Sequence, residues 1–156
     1  MKTALFPGSF DPITLAHIDL IERATLIFDK VHVCIGINSS KKNLLSVDQR
    51  LEIIRKHFQG NTHIEVSTYT GLTVDYARKL KAQAIVRGLR SVQDLEYERP
   101  IAQNNLQLNA QVETLFLISR PEFTHISSTI VREIHQYGGA LDHLVPKTVL
   151  QTLSSM

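Results

Sequence analysis

The stretch Phe6-Pro-Gly-Ser-Phe-Asp-Pro-Ile-Thr-Leu-Ala-His17 predicts a strand, a sharp turn and the start of a helix. The short run Thr3 to Phe6 leads into Pro7-Gly8, a pair typical of a turn after a strand. Thr14 is well placed to cap the following helix, so His17 would lie in its first turn. Backbone N–H groups there have no intrahelical partner and can bind an anion. The stretch therefore indicates phosphate binding, although a plain strand-to-helix turn with a partly buried His17 would give the same pattern.

The rest of the chain alternates between apolar runs of strand length and amphipathic stretches of helix length. Five strands separated by helices predict right-handed crossovers. We therefore expect an α/β fold, a single-domain Rossmann-like sheet of five parallel strands with helices on both faces, over residues 1–156. The predicted strands are 2–6, 31–37, 64–66, 84–86 and 112–118. The predicted helices are 15–28, 46–58, 73–80, 91–109 with a kink or break at Pro100, 126–137, and a last one after Pro146.

Polar or glycine-containing segments follow each predicted strand, and parallel strands present their carboxyl ends at one edge of the sheet. These segments are Pro7-Gly8-Ser9, Ser39-Ser40-Lys41, Thr70-Gly71-Leu72, Arg87-Gly88-Leu89-Arg90 and the residues before Ser127. We expect them to form one ligand-binding rim.

Composition restricts the function classes. The net charge of +2 is too small, and the basic residues too local, to indicate nucleic-acid binding. The chain has no apolar run of membrane-spanning length and no signal-peptide pattern, so we expect a cytoplasmic protein without a membrane partner. Cys34 is the only cysteine, which excludes an internal disulfide, and its apolar surroundings predict a buried, inert thiol.

The motifs of P-loop nucleotide hydrolysis, dinucleotide binding and serine hydrolysis are missing from the sequence. What remains on the predicted rim is a set of anion-binding groups: His17, Lys41, Arg87, Arg90 and the hydroxyls of Ser127, Ser128 and Thr129. Several cationic groups without a nucleophile or an evident base fit transfer between phosphates, because an attacking phosphate is already anionic.

Each of these groups also has a structural interpretation. Lys41-Lys42 is compatible with a solvated loop pair, and Ser127-Ser128 with a helix cap. Glu98 and Asp94 could simply pair with the two arginines. The occurrence of all of them at successive strand ends favours the functional interpretation.

Four segments give a more specific resemblance. Residues 7–17 are similar to the Thr/His-x-Gly-His signature of the nucleotidyltransferase superfamily, and 87–90, 94–98 and 126–132 follow in matching order and spacing. Over essentially the whole chain the sequence resembles the bacterial phosphopantetheine adenylyltransferases. Two positions depart from the pattern. Ala16 replaces the glycine before the histidine, and Ser9 stands where threonine is common.

The resemblance implies transfer of AMP from ATP to 4′-phosphopantetheine with Mg²⁺, in a homohexamer. No carboxylate cluster in the sequence marks a protein-held magnesium, so we expect the metal to be bound by the ATP phosphates. The resemblance also implies catalytic roles for His17, Lys41 and Arg90, and acceptor binding by Ser9, Lys41, Thr73 and Arg87. The implied ATP-binding residues are Ser9, Phe10, His17, Gly88, Leu89, Arg90, Glu98, Phe123, Thr124, His125, Ile126, Ser127, Ser128 and Thr129. The charge of His17 stays open at this point, because a helix start favours neutral imidazole and bound phosphates favour the cation.

Two alternatives remain. One is a related nucleotidyltransferase acting on another small phosphorylated acceptor, such as nicotinamide mononucleotide. The other is a nucleotide-binding module without turnover, to which the methyl group of Ala16 lends some support. Release of pyrophosphate from ATP in the presence of each acceptor distinguishes these alternatives.

Overall fold

Five parallel strands form one sheet in the order β3-β2-β1-β4-β5. The structure is a computed structural model that describes residues 1–37 and 43–155. The strands are β1 (Thr3–Gly8), β2 (Lys30–Gly36), β3 (Ile64–Tyr69), β4 (Ala84–Leu89) and β5 (Glu113–Ile118). The predicted α/β class, strand number and parallel arrangement are confirmed.

Helices cover both faces of this sheet. They are α1 (Leu15–Thr25), α2 (Val47–His57), α3 (Thr73–Lys79), α4 (Val92–Leu108), α5 (Ser128–Gln136) and α6 (Lys147–Leu153), with a 3₁₀ turn at Pro121–Phe123. Neighbouring residues of β1 point to opposite sides. Phe6 packs into the core with α1, whereas Leu5 joins Val74 and Ala77 of α3 in a second cluster. None of the helices in the described ranges has both the length and the apolar character needed to cross a bilayer.

Two predicted helix starts are confirmed by their caps. The Thr14 side chain accepts from the backbone of His17, and the Ser46 side chain accepts from the backbone of Gln49. In both cases the side chain of the third helical residue accepts a hydrogen bond from the backbone N–H of the cap residue, which completes a capping box. Local sequence therefore determines where α1 and α2 begin.

Three strands are longer than predicted. β1 continues through Pro7-Gly8 because these residues pair with Cys34 and Ile35 of β2. β4 continues to Leu89, which pairs with Ile118, so residues 87–89 belong to a strand rather than to a loop after it. β3 likewise extends to Tyr69. Pairing with a neighbouring strand keeps polar and glycine residues extended where the local sequence favours a turn.

The helix ends also differ from the prediction. α1 ends at Thr25 rather than at 28, and α5 begins at Ser128, with Ser127 as its cap. α4 runs through Pro100 without a break, contrary to one of the predicted outcomes. A proline inside a helix removes one backbone hydrogen bond. The Asn104 side chain donates to the Pro100 carbonyl at 2.7 Å, one turn further along α4.

The sheet opens between β1 and β4, and this opening determines where the site lies. Their pairing covers only Ala4 and Leu5 of β1, opposite Ala84 and Ile85. Beyond that point the two strands diverge. The chain crosses from β1 to β2 on one side of β1, and it later returns to form β4 on the other side. Such a switch in strand order creates a crevice at the carboxyl ends of the strands.

Candidate active site

The turn between β1 and α1 is built around the buried ring of Phe10. Its backbone has a positive φ of 47°, and its ring lies edge-on to His17, with 5.3 Å between the ring centroids. A Cβ atom at Gly8 would lie 2.7 Å from the Phe10 ring, so that position has no room for a side chain. The conformation of the turn thus fixes the ring against which His17 packs.

Other elements hold this turn in place through hydrogen bonds to its backbone carbonyls and to the Asp11 side chain. The buried Asp11 carboxylate accepts from the backbone N–H groups of Leu44 and Leu45 at 2.9 and 2.8 Å. From α5, Arg132 donates to the Asp11 carbonyl at 2.7 Å and Ser128 donates to the Pro12 carbonyl at 2.8 Å. The start of α5 is therefore held directly beside the β1–α1 turn.

His17 is held as a neutral hydrogen-bond donor. Its Nδ1 accepts from the Thr14 backbone N–H at 3.1 Å, which leaves the ring proton on Nε2. Burial, followed by the charges of Arg90 and Arg87, lowers the pKa of His17 to about 4. In the unliganded protein the imidazole is therefore uncharged at neutral pH.

Both rim arginines pair with carboxylates of α4. Arg87 donates from Nε and Nη2 to the two oxygens of Glu98 at 3.0 and 2.5 Å, and from Nη1 to the Pro7 carbonyl at 2.6 Å. Arg90 donates from its backbone and from Nε to Asp94 at 2.9 and 3.3 Å. The pairing considered from the sequence is present, and the Arg87–Pro7 bond spans the opening between β4 and β1.

Two adjacent cavities occupy this opening. The first, called the Thr73 cavity, has a volume of about 400 Å³ and contains Thr73, Tyr69 and Asn43. The second, called the His17 cavity, has a volume of about 360 Å³ and contains His17 and Arg90. Among the residues that the structure describes, six line both cavities: Pro7, Gly8, Ser9, Arg87, Tyr97 and Glu98. Two ligands could therefore meet at the end of β1.

Most of the predicted site residues line these cavities. The His17 cavity is lined by Ser9, Phe10, His17, Gly88, Arg90, Glu98, Ile126, Ser127, Ser128 and Thr129, and the Thr73 cavity by Ser9, Thr73 and Arg87. Leu89, Phe123, Thr124 and His125 are not among the lining residues of either cavity in the described part of the chain. Leu89 is buried, and Phe123 packs against the core. Lys41 lies outside the described residues.

Ala16, the position that departs from the superfamily signature, lines the His17 cavity and is 5% exposed. Its methyl group takes up space beside His17 that a glycine would leave free. The departure therefore concerns the site itself rather than a distant surface.

Several residues that line the cavities were not predicted from the sequence, among them Arg132, Ser119 and Arg50. Arg132 lines the His17 cavity and lies within the matched segment 126–132, so its position in that segment was an available signal. Ser119 lines the same cavity from the end of β5. Arg50 lines the Thr73 cavity from α2, 41 positions away from Ser9, to which it donates a hydrogen bond. No local pattern connects two residues so far apart.

The arrangement favours binding of phosphates rather than of a metal ion by side chains. Across residues 1–37 and 43–155, no group of three or more His, Cys, Asp or Glu side chains is placed to hold a metal. The His17 cavity instead combines a neutral imidazole donor, the guanidinium groups of Arg90 and Arg132, and the hydroxyls at the start of α5. Cys34 is buried away from it, and burial raises the pKa of its thiol to about 11.

Comparison with known proteins agrees with this geometry. A family model described as cytidylyltransferase-like matches residues 5–134, and the chain belongs to that class of nucleotidyltransferases. It is 43% identical to the phosphopantetheine adenylyltransferase of Caldanaerobacter subterraneus subsp. tengcongensis, over 98% of this chain and 96% of the relative. Identity to the enzyme of that name from Crocosphaera subtropica is 47%, over 96% of each chain. Within the class, the chain is a member of the phosphopantetheine adenylyltransferase family.

A solved structure confirms the fold. A Vibrio parahaemolyticus protein assigned as a nicotinate-nucleotide adenylyltransferase superposes with a TM-score of 0.75, covering 98% of this chain and 99% of the other. Sequence identity between the two is 20%, so the similarity concerns the fold alone.

Proposed function

We propose that this protein transfers AMP reversibly from ATP to 4′-phosphopantetheine, which gives dephospho-coenzyme A and pyrophosphate. The observation that supports this most directly is the pair of cavities that share the end of β1. ATP would occupy the His17 cavity, where donors to phosphate oxygens are concentrated. The acceptor would occupy the Thr73 cavity, with its phosphate near Ser9 and Arg87.

In this reaction an oxygen of the acceptor phosphate attacks the α-phosphorus of ATP. A new P–O bond forms as the bond between the α-phosphorus and the bridging oxygen to the β-phosphate breaks, and pyrophosphate leaves with that bond's electrons. The attacking group is already anionic, so no residue has to act as a base. The protein contributes by holding both phosphates in line and by stabilising the charge that develops on the transferring group.

His17 suits the second task. Its Nε2–H can donate to an oxygen on the α-phosphate while Nδ1 stays bonded to the Thr14 backbone. Arg90, whose Nη1 also donates to the Ile126 carbonyl at 3.3 Å, supplies positive charge on the same side. Lys41 would complete the catalytic set by resemblance to the family.

Magnesium enters the proposal as the counter-ion of the ATP phosphates. The carboxylates that line the His17 cavity, Asp94 and Glu98, are both engaged by arginines. The described side chains therefore do not fit a protein-held magnesium site, and no step above depends on one.

The direct test is pyrophosphate release from ATP with a panel of acceptors: 4′-phosphopantetheine, nicotinamide mononucleotide and a simple phospho-alcohol. We expect turnover with phosphopantetheine and a kcat/KM at least about 100-fold lower with the others. Preference for another acceptor would overturn the substrate assignment, and ATP binding without any turnover would indicate a binding module instead.

We also propose a cytoplasmic homohexamer, on the basis of the family resemblance. The exposed apolar side chains on α4, among them Val92, Ile101 and Leu108, are compatible with burial between copies. Light scattering coupled to size exclusion measures the mass of the assembly, and a monomer at micromolar concentration would contradict the hexamer.

A further inference from the structure

Arg50 is a buried cation that lines the Thr73 cavity, and its hydrogen bonding is incomplete among the residues that the structure describes. It is 3% exposed and lines the cavity from α2. Nη1 donates to the Ser9 carbonyl at 2.7 Å, and Nε donates to the Ser46 carbonyl at 3.3 Å. Among the described residues, Nη2 has no hydrogen-bond acceptor, and no carboxylate lies within 4.0 Å of the guanidinium group.

Arg87, which lines the same cavity, does have a counter-charge. Its charge is balanced by the bidentate contact with Glu98, and its third nitrogen donates to Pro7. Of the two arginines that line the Thr73 cavity, Arg50 is therefore the one whose charge lacks a counter-charge in the described part of the chain. A charge held away from water is unfavourable unless it is paired, so an anionic ligand in this cavity would stabilise Arg50.

We propose that Arg50 binds the phosphate of the acceptor and thereby selects acceptors that carry one. This inference rests on the proposed function, which places the acceptor in the Thr73 cavity. A guanidinium group is well suited to the contact because it donates several parallel hydrogen bonds to phosphate oxygens. Nη2 would donate to the ligand while Nη1 keeps its bond to Ser9.

The main competing role for Arg50 is mechanical. Its bond to the Ser9 carbonyl also supports the turn that carries Phe10, and both of these residues line the His17 cavity. If Arg50 acted only on the turn, its loss would weaken ATP binding and would weaken every acceptor equally. If Arg50 binds the acceptor phosphate, its loss weakens only ligands that carry this group in the Thr73 cavity.

The experiment compares wild type, R50Q and R50K by calorimetry with three ligands: 4′-phosphopantetheine, pantetheine without the phosphate, and ATP. R55Q, an exposed position on the same helix, is the control. For R50Q we expect affinity for phosphopantetheine to fall about tenfold or more, with changes below about twofold for pantetheine and ATP. R55Q should match wild type with all three ligands.

The proposal would be overturned if R50Q lost affinity equally for phosphopantetheine and pantetheine, lost a comparable amount for ATP, or lost no affinity at all. R50K keeps the positive charge but lacks the planar guanidinium group, and this variant tests the proposal if R50Q does not fold. We expect R50K to lose about threefold to tenfold in affinity for phosphopantetheine alone. If R50K lost affinity for all three ligands alike, or for none of them, the proposal would be overturned as well. Pyrophosphate release by wild type separates the two hypotheses, because its absence with phosphopantetheine contradicts the proposed function rather than the role of Arg50.

Discussion

His17 combines a structural role with a chemical one. The third helical residue of a capping box is usually Glu or Gln, and here a histidine side chain accepts from the Thr14 backbone N–H instead. That bond requires an unprotonated Nδ1, so the cap that starts α1 also selects the tautomer that leaves Nε2–H free to donate to a ligand. The same contact orients the ring beside Phe10.

This double role predicts different results for two substitutions at one position. His17→Gln supplies the usual capping-box side chain, so we expect stability close to wild type but a loss of turnover of about 100-fold or more. His17→Ala should lose similar turnover and also about 1 kcal/mol of stability. Urea unfolding and pyrophosphate release measure the two effects. Near-normal turnover in either variant would contradict the assigned role of His17.

The low pKa of His17 also predicts a pH dependence of stability. Its pKa falls from 6.5 in the unfolded chain to about 4 in the fold, so the unfolded state binds more protons between these values. The contribution of His17 to the free energy of unfolding is therefore fully present above pH 6.5 and is lost as the pH falls toward 4. Between pH 7 and pH 5 this loss amounts to about 2 kcal/mol.

The measurement is urea unfolding of wild type and His17→Gln at pH 7 and pH 5. The wild-type loss should exceed that of the variant by about 2 kcal/mol. Burial lowers the pKa of His32 and His57 as well, and these contributions cancel in the difference because both proteins retain them. Equal losses in the two proteins would show that His17 titrates normally in the fold.

Alternating apolar runs were sufficient to predict the number of strands and their parallel arrangement, and Thr14 was sufficient to predict the start of α1. The apolar runs failed at the strand ends, where residues 87–89 stay extended through pairing with β5. The matched motifs placed His17, Arg90 and Ser127 on one cavity. Arg50 could not be found in the same way, because its contact with Ser9 exists only once α2 packs beside the β1–α1 turn.

The ion pair between Glu98 and Arg87 joins α4 to β4. Glu98 is buried and pairs with Arg87, so Glu98→Gln leaves a partly buried guanidinium without its counter-charge. We expect a loss of about 2–3 kcal/mol in the free energy of unfolding, measured with urea. Asp75→Asn breaks the exposed Arg78–Asp75 pair and is the matched control, for which a loss below about 0.5 kcal/mol is expected. Similar losses in the two variants would contradict this role for Glu98.

The order of the strands in the sheet explains why the two cavities meet. The divergence of β1 and β4 beyond Leu5 opens the sheet at its switch point, and the Arg87–Pro7 bond crosses the opening. Both cavities include Ser9 at the end of β1. ATP and the acceptor bound there would be in direct contact, so no side chain would have to carry the AMP between them.

This geometry predicts a single direct displacement. Initial velocities measured against both substrates should give intersecting lines, and the α-phosphorus should invert its configuration, because the acceptor attacks in line with the leaving pyrophosphate. An ATP analogue with a chiral, sulfur-substituted α-phosphate reports the configuration of the product. Exchange of labelled pyrophosphate into ATP without acceptor is the matched control, since only an adenylylated protein would support it. Retention of configuration together with such exchange would mean that a side chain carries the AMP, and the two cavities would then be used in turn rather than together.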